Sequence, residues 1–266
     1  MKSIRLLVTL SVVSASAFCL NADTLNGNGS FQSWNQSSLG TTTTPTTGGP
    51  YWNNISSDGA TNNIGWCLTG AGGCHIANAP GALNYYGNGT AAASSMSFTS
   101  GGMTQEATLA GLFTNQNGVL PNGADSFGWY SVSNGTITTH SLFNPLSAVG
   151  SYTDFTPTAN YGFYLENVQS GGLSYEADYY WFMDSGLNYV GGTGASDGAT
   201  QHFSVFSGTN GGYYIGVEDT PAASSDFDYN DMILQVQTVP EPTSFALLAG
   251  GLALVGFARR RRFRIM

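Results

Sequence analysis

From Ala91 to Val239 the chain runs in short stretches that alternate apolar and polar residues, broken by Gly, Asn, Asp and Pro. The alternation is plainest in Tyr161/Phe163/Leu165, in Tyr213/Ile215/Val217 and in Met232/Leu234/Val236. A period of two fits strands with one buried face, and no long amphipathic helical pattern interrupts it. The predicted strands are Ser94–Thr99, Ala107–Thr114, Ser126–Val132, Thr136–Phe143, Tyr161–Val168, Tyr175–Met183, Gln201–Phe206, Gly212–Glu218 and Asp231–Gln237. Asn122-Gly123, Asn134-Gly135 and Asn210-Gly211 suit hairpin turns. So many short strands within about 150 residues predict an all-β protein with a single β-sandwich or jelly-roll domain.

Charge is segregated along the chain. All 7 Lys and Arg lie at the two ends (Lys2, Arg5, Arg259, Arg260, Arg261, Arg262, Arg264), and all 16 Asp and Glu lie between Asp23 and Glu241. A carboxylate there has no Lys or Arg nearby in sequence to pair with. It must face water, accept hydrogen bonds from neutral donors or bind a cation. Nucleic acid is excluded as a partner, because nothing in this span neutralises phosphate.

Residues 1–22 have the parts of a secretory signal: Lys2 and Arg5, the apolar run Leu6–Val13, then small residues. Cleavage after Ala17 and cleavage after Ala22 both fit; the second removes Cys19 and leaves Cys67 and Cys74 as an even pair. Outside the cytoplasm those two are expected to form a local disulfide around Leu68–Gly73, worth roughly 2.5 kcal/mol by chain entropy. His75 reads as a surface residue. Residues 23–90 are rich in Asn, Thr and Gly and are expected to pack on the main domain, 91–239, through scattered residues such as Trp34, Tyr51, Trp52, Ile55 and Trp66. The Thr run around Pro45 is either a site for O-linked sugar or a plain polar loop.

Residues 240–266 open with Pro240-Glu241-Pro242, continue as an apolar run to Phe257 and end in Arg259, Arg260, Arg261, Arg262 and Arg264. A helix over 243–258 would span about 24 Å at 1.5 Å per residue, short of a hydrocarbon core of roughly 30 Å. Snorkelling arginines extend its reach, and the positive-inside rule keeps them cytoplasmic. An ordinary membrane anchor needs the same helix and charges, but the proline pair directly before it resembles the PEP-CTERM sorting signal. That resemblance implies export, transient anchoring in the membrane by the transmembrane helix and processing by an exosortase-type enzyme. Such tails resemble those of proteins from bacteria that make extracellular polysaccharide, which implies a matrix or biofilm partner.

The stretch from Glu218 to Asp231 holds Glu218, Asp219, Asp226, Asp228 and Asp231 with no basic neighbour. Asp226, Asp228 and Asn230 alternate as EF-hand ligands do, but Asp231 stands where the turn glycine belongs, and the closing Glu is replaced by Gln237. Packed hard oxygens suit calcium, and a cation relieves their repulsion; a fully solvated turn is the alternative. Glu218-Asp219 followed by Asp226-x-Asp228-Tyr229-Asn230-Asp231 and a hydrophobic strand also resembles the C-terminal signature of an uncharacterised family of bacterial exported domains. It implies a β-sandwich with an acidic, calcium-stabilised corner. Asp226, Asp228 and Asn230 share parity with Met232, Leu234 and Val236, and are expected to continue the inward face.

Enzyme signals are thin. Gly194-Ala195-Ser196-Asp197-Gly198 fits a GxSxG string but sits in glycine-rich turn material rather than between a strand and a helix. Glu176 and Asp178 are two apart on a predicted strand, which does not make the opposed pair a glycosidase needs. His75, His140 and His202 fit no local zinc pattern, and His202 is expected on the outer face of its strand. Aromatic clusters (Tyr175, Tyr179, Tyr180, Trp181, Phe182; Tyr213, Tyr214) serve either as core or as sugar-stacking platforms. The sequence reading is a non-enzymatic exported surface or matrix protein, with a carbohydrate-binding module and a polysaccharide hydrolase as its rivals.

Overall fold

The computed structural model describes residues 23–33, 63–70, 76, 80–88, 91–112, 123–144, 146–157, 159–169, 178–190, 200–208, 211–219 and 228–239. They form two antiparallel sheets packed as a sandwich. In the first sheet, β1 (Thr24–Gly27) pairs β5 (Met96–Thr99), which pairs the start of β10 (Asn160–Gln169). Further along, β10 pairs β11 (Asp178–Phe182), and β11 pairs β12 (Tyr189–Val190). β7 (Gly123–Ser133) pairs β10 over nearly its whole length and is itself flanked by β8 (Thr136–Phe143). β10 is therefore the axis of this sheet.

The second sheet runs in the order β2 (Ser30–Ser33), β3 (Asn84–Asn88), β13 (Phe203–Ser207), β14 (Tyr213–Val217), β15 (Met232–Thr238), β6 (Gln105–Leu112) and β9 (Tyr152–Phe155); β4 (Ala91–Ala92) pairs β3. Alternation sets which face is buried. Along β6 every second residue from Gln105 is buried, and the inward residues of both sheets interdigitate. The core is markedly aromatic: Phe98 lies 5.3 Å from Tyr161, 5.7 Å from Phe163 and 5.0 Å from Tyr213 between ring centroids. A second cluster covers the outer face of the second sheet, where Ile64, Cys67 and Leu68 of the short helix α1 (Ile64–Leu68) pack with Tyr85, Phe206, Tyr214, Tyr229 and Ile233.

Each of the predicted strands has a counterpart in the structure. Asn134 and Gly135 join β7 to β8 with φ of 51° and 76°, the left-handed pair a tight type I′ hairpin requires. β6 and β7, the strands on either side of Asn122-Gly123, belong to different sheets and do not pair with each other. The polar region before residue 91 does more than pack on the sandwich: β1 to β3 are strands of its two sheets. Asp23, at the start of β1, is buried. It accepts the Gly101 N–H at 2.7 Å and the Tyr161 hydroxyl at 2.6 Å through its carboxylate, and the Tyr213 hydroxyl at 2.9 Å through its carbonyl. Among the described residues no helix is long and apolar enough to cross a membrane; residues 1–22 and 240–266, with the predicted signal and anchor helix, lie outside them.

Candidate metal centre

β14 and β15 are hydrogen-bonded neighbours, with Val217 opposite Met232. The chain leaves β14 through Glu218 and Asp219 and re-enters β15 through Asp231, so strand pairing alone brings the two ends of the acidic connection together. Glu218, Asp219 and Asp231 each offer a carboxylate oxygen, and these oxygens lie within 4.8 Å of one another. Oxygens bound to one calcium at about 2.4 Å lie at most about 4.8 Å apart, so the three are spaced to share an ion. Glu218 and Asp219 are only 1% and 4% exposed, and Asp231 is half-buried.

The corner is held by main-chain contacts. The Glu218 N–H donates to the His202 carbonyl at 2.9 Å, and the Asp219 N–H donates to Asp231 Oδ2 at 2.9 Å. Underneath, Trp181 and His202 stack with centroids 3.9 Å apart and planes 3° from parallel. The Trp181 indole N–H donates to the Asp219 carbonyl at 3.2 Å, and His202 Nδ1 lies 3.2 Å from the Glu218 carbonyl. Both rings are fully buried. His202 is thus turned inward, against the expectation of an outer-face position, because the flat face of Trp181 takes the imidazole.

Asp228 and Asn230 are buried beside this group. Asn230 donates to Asp228 through its main-chain N–H at 3.2 Å and its side-chain amide at 2.8 Å. Between them Tyr229 has φ of 56°, so the alternation expected to run on from β15 stops here. The turn lets the Asp228 carbonyl accept the Ile64 N–H of α1 at 2.9 Å and sends the Tyr229 hydroxyl to the Gln201 carbonyl at 2.9 Å. Gly216 makes room for it: a Cβ there would collide with the Tyr229 carbonyl and with Ile64.

Burial, and then the charges of Glu218, Asp219 and Asp228, hold the Asp231 carboxyl well above the usual carboxylate range; the bond from the Asp219 N–H opposes them. Two acceptor atoms of the corner, Glu218 Oε2 and Asn230 Oδ1, are buried and accept no hydrogen bond, although both residues have other partners. A cation would relieve both conditions.

Of the other residues singled out in the sequence, Asp226, Cys74, Glu176, Ser196, His75, Pro240, Glu241, Pro242 and Arg259 to Arg262 lie outside the described residues. Cys67 is disulfide-bonded. Asp178 opens β11, and His140 stacks on Trp129 at 3.9 Å. Sequence reasoning did not find the Trp181–His202 support, since nothing local connects those residues to Glu218 and Asp219.

Residues 121–238 match the family described as a domain of unknown function (DUF4114), and residues 238–262 match the PEP-CTERM protein-sorting motif. The first match takes in β7 to β15 and the whole acidic connection. The strands before it complete the sandwich, β6 lying between β15 and β9. The second begins on the last residue of β15. The sorting motif marks the chain as an exported protein, sorted at the membrane and processed by an exosortase. No curated protein and no solved structure matches the chain.

Proposed function

We propose that this chain is a non-enzymatic protein of the cell surface or extracellular matrix whose Glu218–Asp219–Asp231 corner holds a structural calcium ion. The observation that carries this reading is the convergence of three carboxylates at a strand pair in a span that has no Lys or Arg to neutralise them. The ligands are hard oxygens, which select calcium over transition metals. Asp228 and Asn230 stand close by, and Asp226 belongs to the same connection. With Glu218 and Asp219 closed off from solvent, the ion ties the exit of β14 to the entry of β15 and does not meet a substrate.

Melting of the full chain in calcium and then in chelator tests the reading, together with terbium luminescence excited through tryptophan, since Trp181 touches the corner. Terbium emission that calcium displaces, and a calcium-dependent rise in Tm that Asp219→Asn and Asp231→Asn abolish, are the expected results. A Tm indifferent to calcium would overturn the metal site. Polysaccharide turnover lost in Glu176→Gln or Ser196→Ala would overturn the non-enzymatic part.

A further inference from the structure

The outer face of the first sheet carries a recess that neither the sorting motif nor the acidic corner uses. Its wall starts from a missing side chain. A Cβ on Gly162 of β10 would meet the Tyr130 ring and hydroxyl at 2.7 Å, so glycine is what lets this tyrosine of β7 lie over the neighbouring strand. Tyr130 packs edge-on against Phe182 at 4.9 Å and clusters with Tyr164. The recess beside it has a volume of about 240 Å³ and is lined by Ser95, Ser97, Asn160 and Asp184, with Val132 and Leu187 as apolar flanks. Ser95 and Asp184 are bridged through their main chains, which fixes the far wall.

The lining both donates and accepts. Tyr130 Oη accepts the Asp184 N–H at 3.2 Å, and burial keeps its own proton bound well above the usual phenol range. The hydroxyl therefore remains a donor. Asn160 Oδ1 accepts the Thr99 hydroxyl at 3.1 Å, which leaves its amide NH₂ to donate. Asp184 Oδ1 accepts the Gly186 N–H at 3.3 Å, and its other oxygen adds acceptor capacity. The two serine hydroxyls do either.

Mixed donors and acceptors between the apolar flanks Val132 and Leu187 suit the vicinal hydroxyls and apolar face of a sugar ring. Asp184 without a neighbouring cation disfavours anionic sugars. The volume falls just below the range of roughly 300–1,000 Å³ that takes drug-sized ligands, and so suits one ring of a longer chain. We propose that this recess is a binding subsite for a neutral pyranose residue of a polysaccharide. The surface-or-matrix reading above supplies only the source of that ligand; the chemistry of the recess stands without it and without calcium.

Affinity electrophoresis of the full chain, in calcium and a non-glycosidic detergent, tests it with neutral glucan, galactan and mannan as probes and polygalacturonate as control. At least one neutral polymer should retard the protein and polygalacturonate should not. Asn160→Ala, on an exposed side chain, and Tyr130→Phe should each weaken that binding by about tenfold, the equivalent of 1.4 kcal/mol. Tm in calcium, read on the same samples, reports whether a variant has kept its fold. Absence of retardation by all three neutral polymers, stronger binding to polygalacturonate, or binding that Asn160→Ala leaves unchanged would overturn the subsite. Sugar binding in a protein whose Tm ignores calcium would remove the metal reading alone; a calcium-shifted Tm without sugar binding would remove this one alone.

Discussion

Asp23 and the corner formed by Glu218, Asp219 and Asp231 are two answers to the same difficulty, a buried carboxylate with no basic residue in its stretch of sequence. Asp23 is satisfied by neutral donors, the Gly101 N–H and the Tyr161 hydroxyl. Three carboxylates crowd the other corner, and the Asp231 carboxyl is raised by its neighbours' charges. One negative charge can be solvated by the protein's own dipoles; three within a few ångströms of each other need a proton or a cation. The first arrangement is completed by donors of the protein itself. The second takes its state from the solution.

The sharpest way to break this contrast is to vary calcium. At a hundredfold excess over Kd an ion adds about 2.7 kcal/mol, and at about 2–4 °C per kcal/mol for a protein of this size Tm should rise by roughly 5–10 °C. Asp231→Asn keeps an acceptor for the Asp219 N–H while removing a charge. It should abolish the calcium shift yet leave the chelated protein no less stable than the parent. Tyr161→Phe should do the opposite, costing about 1–3 kcal/mol because Asp23 loses its hydroxyl donor, with the calcium shift intact in the same melts.

pH sharpens the same comparison. A carboxyl raised in the fold means that the metal-free protein binds a proton that the unfolded chain has released. The contribution of this carboxyl to stability is therefore fullest below about pH 4 and is lost as pH rises through the raised value. Calcium, which binds the ionised form, should remove that decline, and urea titrations at several pH values with and without the ion would show it. Gly216→Ala should cost about 1–3 kcal/mol by forcing the Tyr229 carbonyl away and should weaken calcium binding measured by calorimetry. The smallest effect belongs to a place remote from both sites: Asn134→Ala in the β7–β8 turn should cost about 1 kcal/mol and leave calcium binding unchanged.

Strands that bury one side chain in two were legible because their pattern repeats within a few residues. β1 to β4, β9 and β12 were not, being two to five residues long and drawing their pairing from strands elsewhere in the chain. The carboxylates of the acidic corner were visible as charge density, and the pairing of the last two strands explains why Glu218 and Asp219 meet Asp231. The inward run expected of Asp228 and Asn230 ignored the left-handed turn at Tyr229, which needs Gly216 on a different strand. The sugar recess, gathered from residues between Ser95 and Leu187 that are distant in sequence, leaves no local trace.

The position of β15 has a mechanical consequence. The strand lies between β14 and β6, paired on both sides, and the segment carrying the sorting motif continues directly from it. Any pull transmitted through Val239 acts along the axis of a doubly clamped strand, so the hydrogen bonds of both ladders, which run across the strands, resist together in shear instead of parting one by one. The first bond beyond the strand, from the Val239 N–H to the Thr104 carbonyl at 2.9 Å, takes the strain first. An ion at Asp231, at the opposite end of β15, would act as the stop that keeps the strand from sliding out.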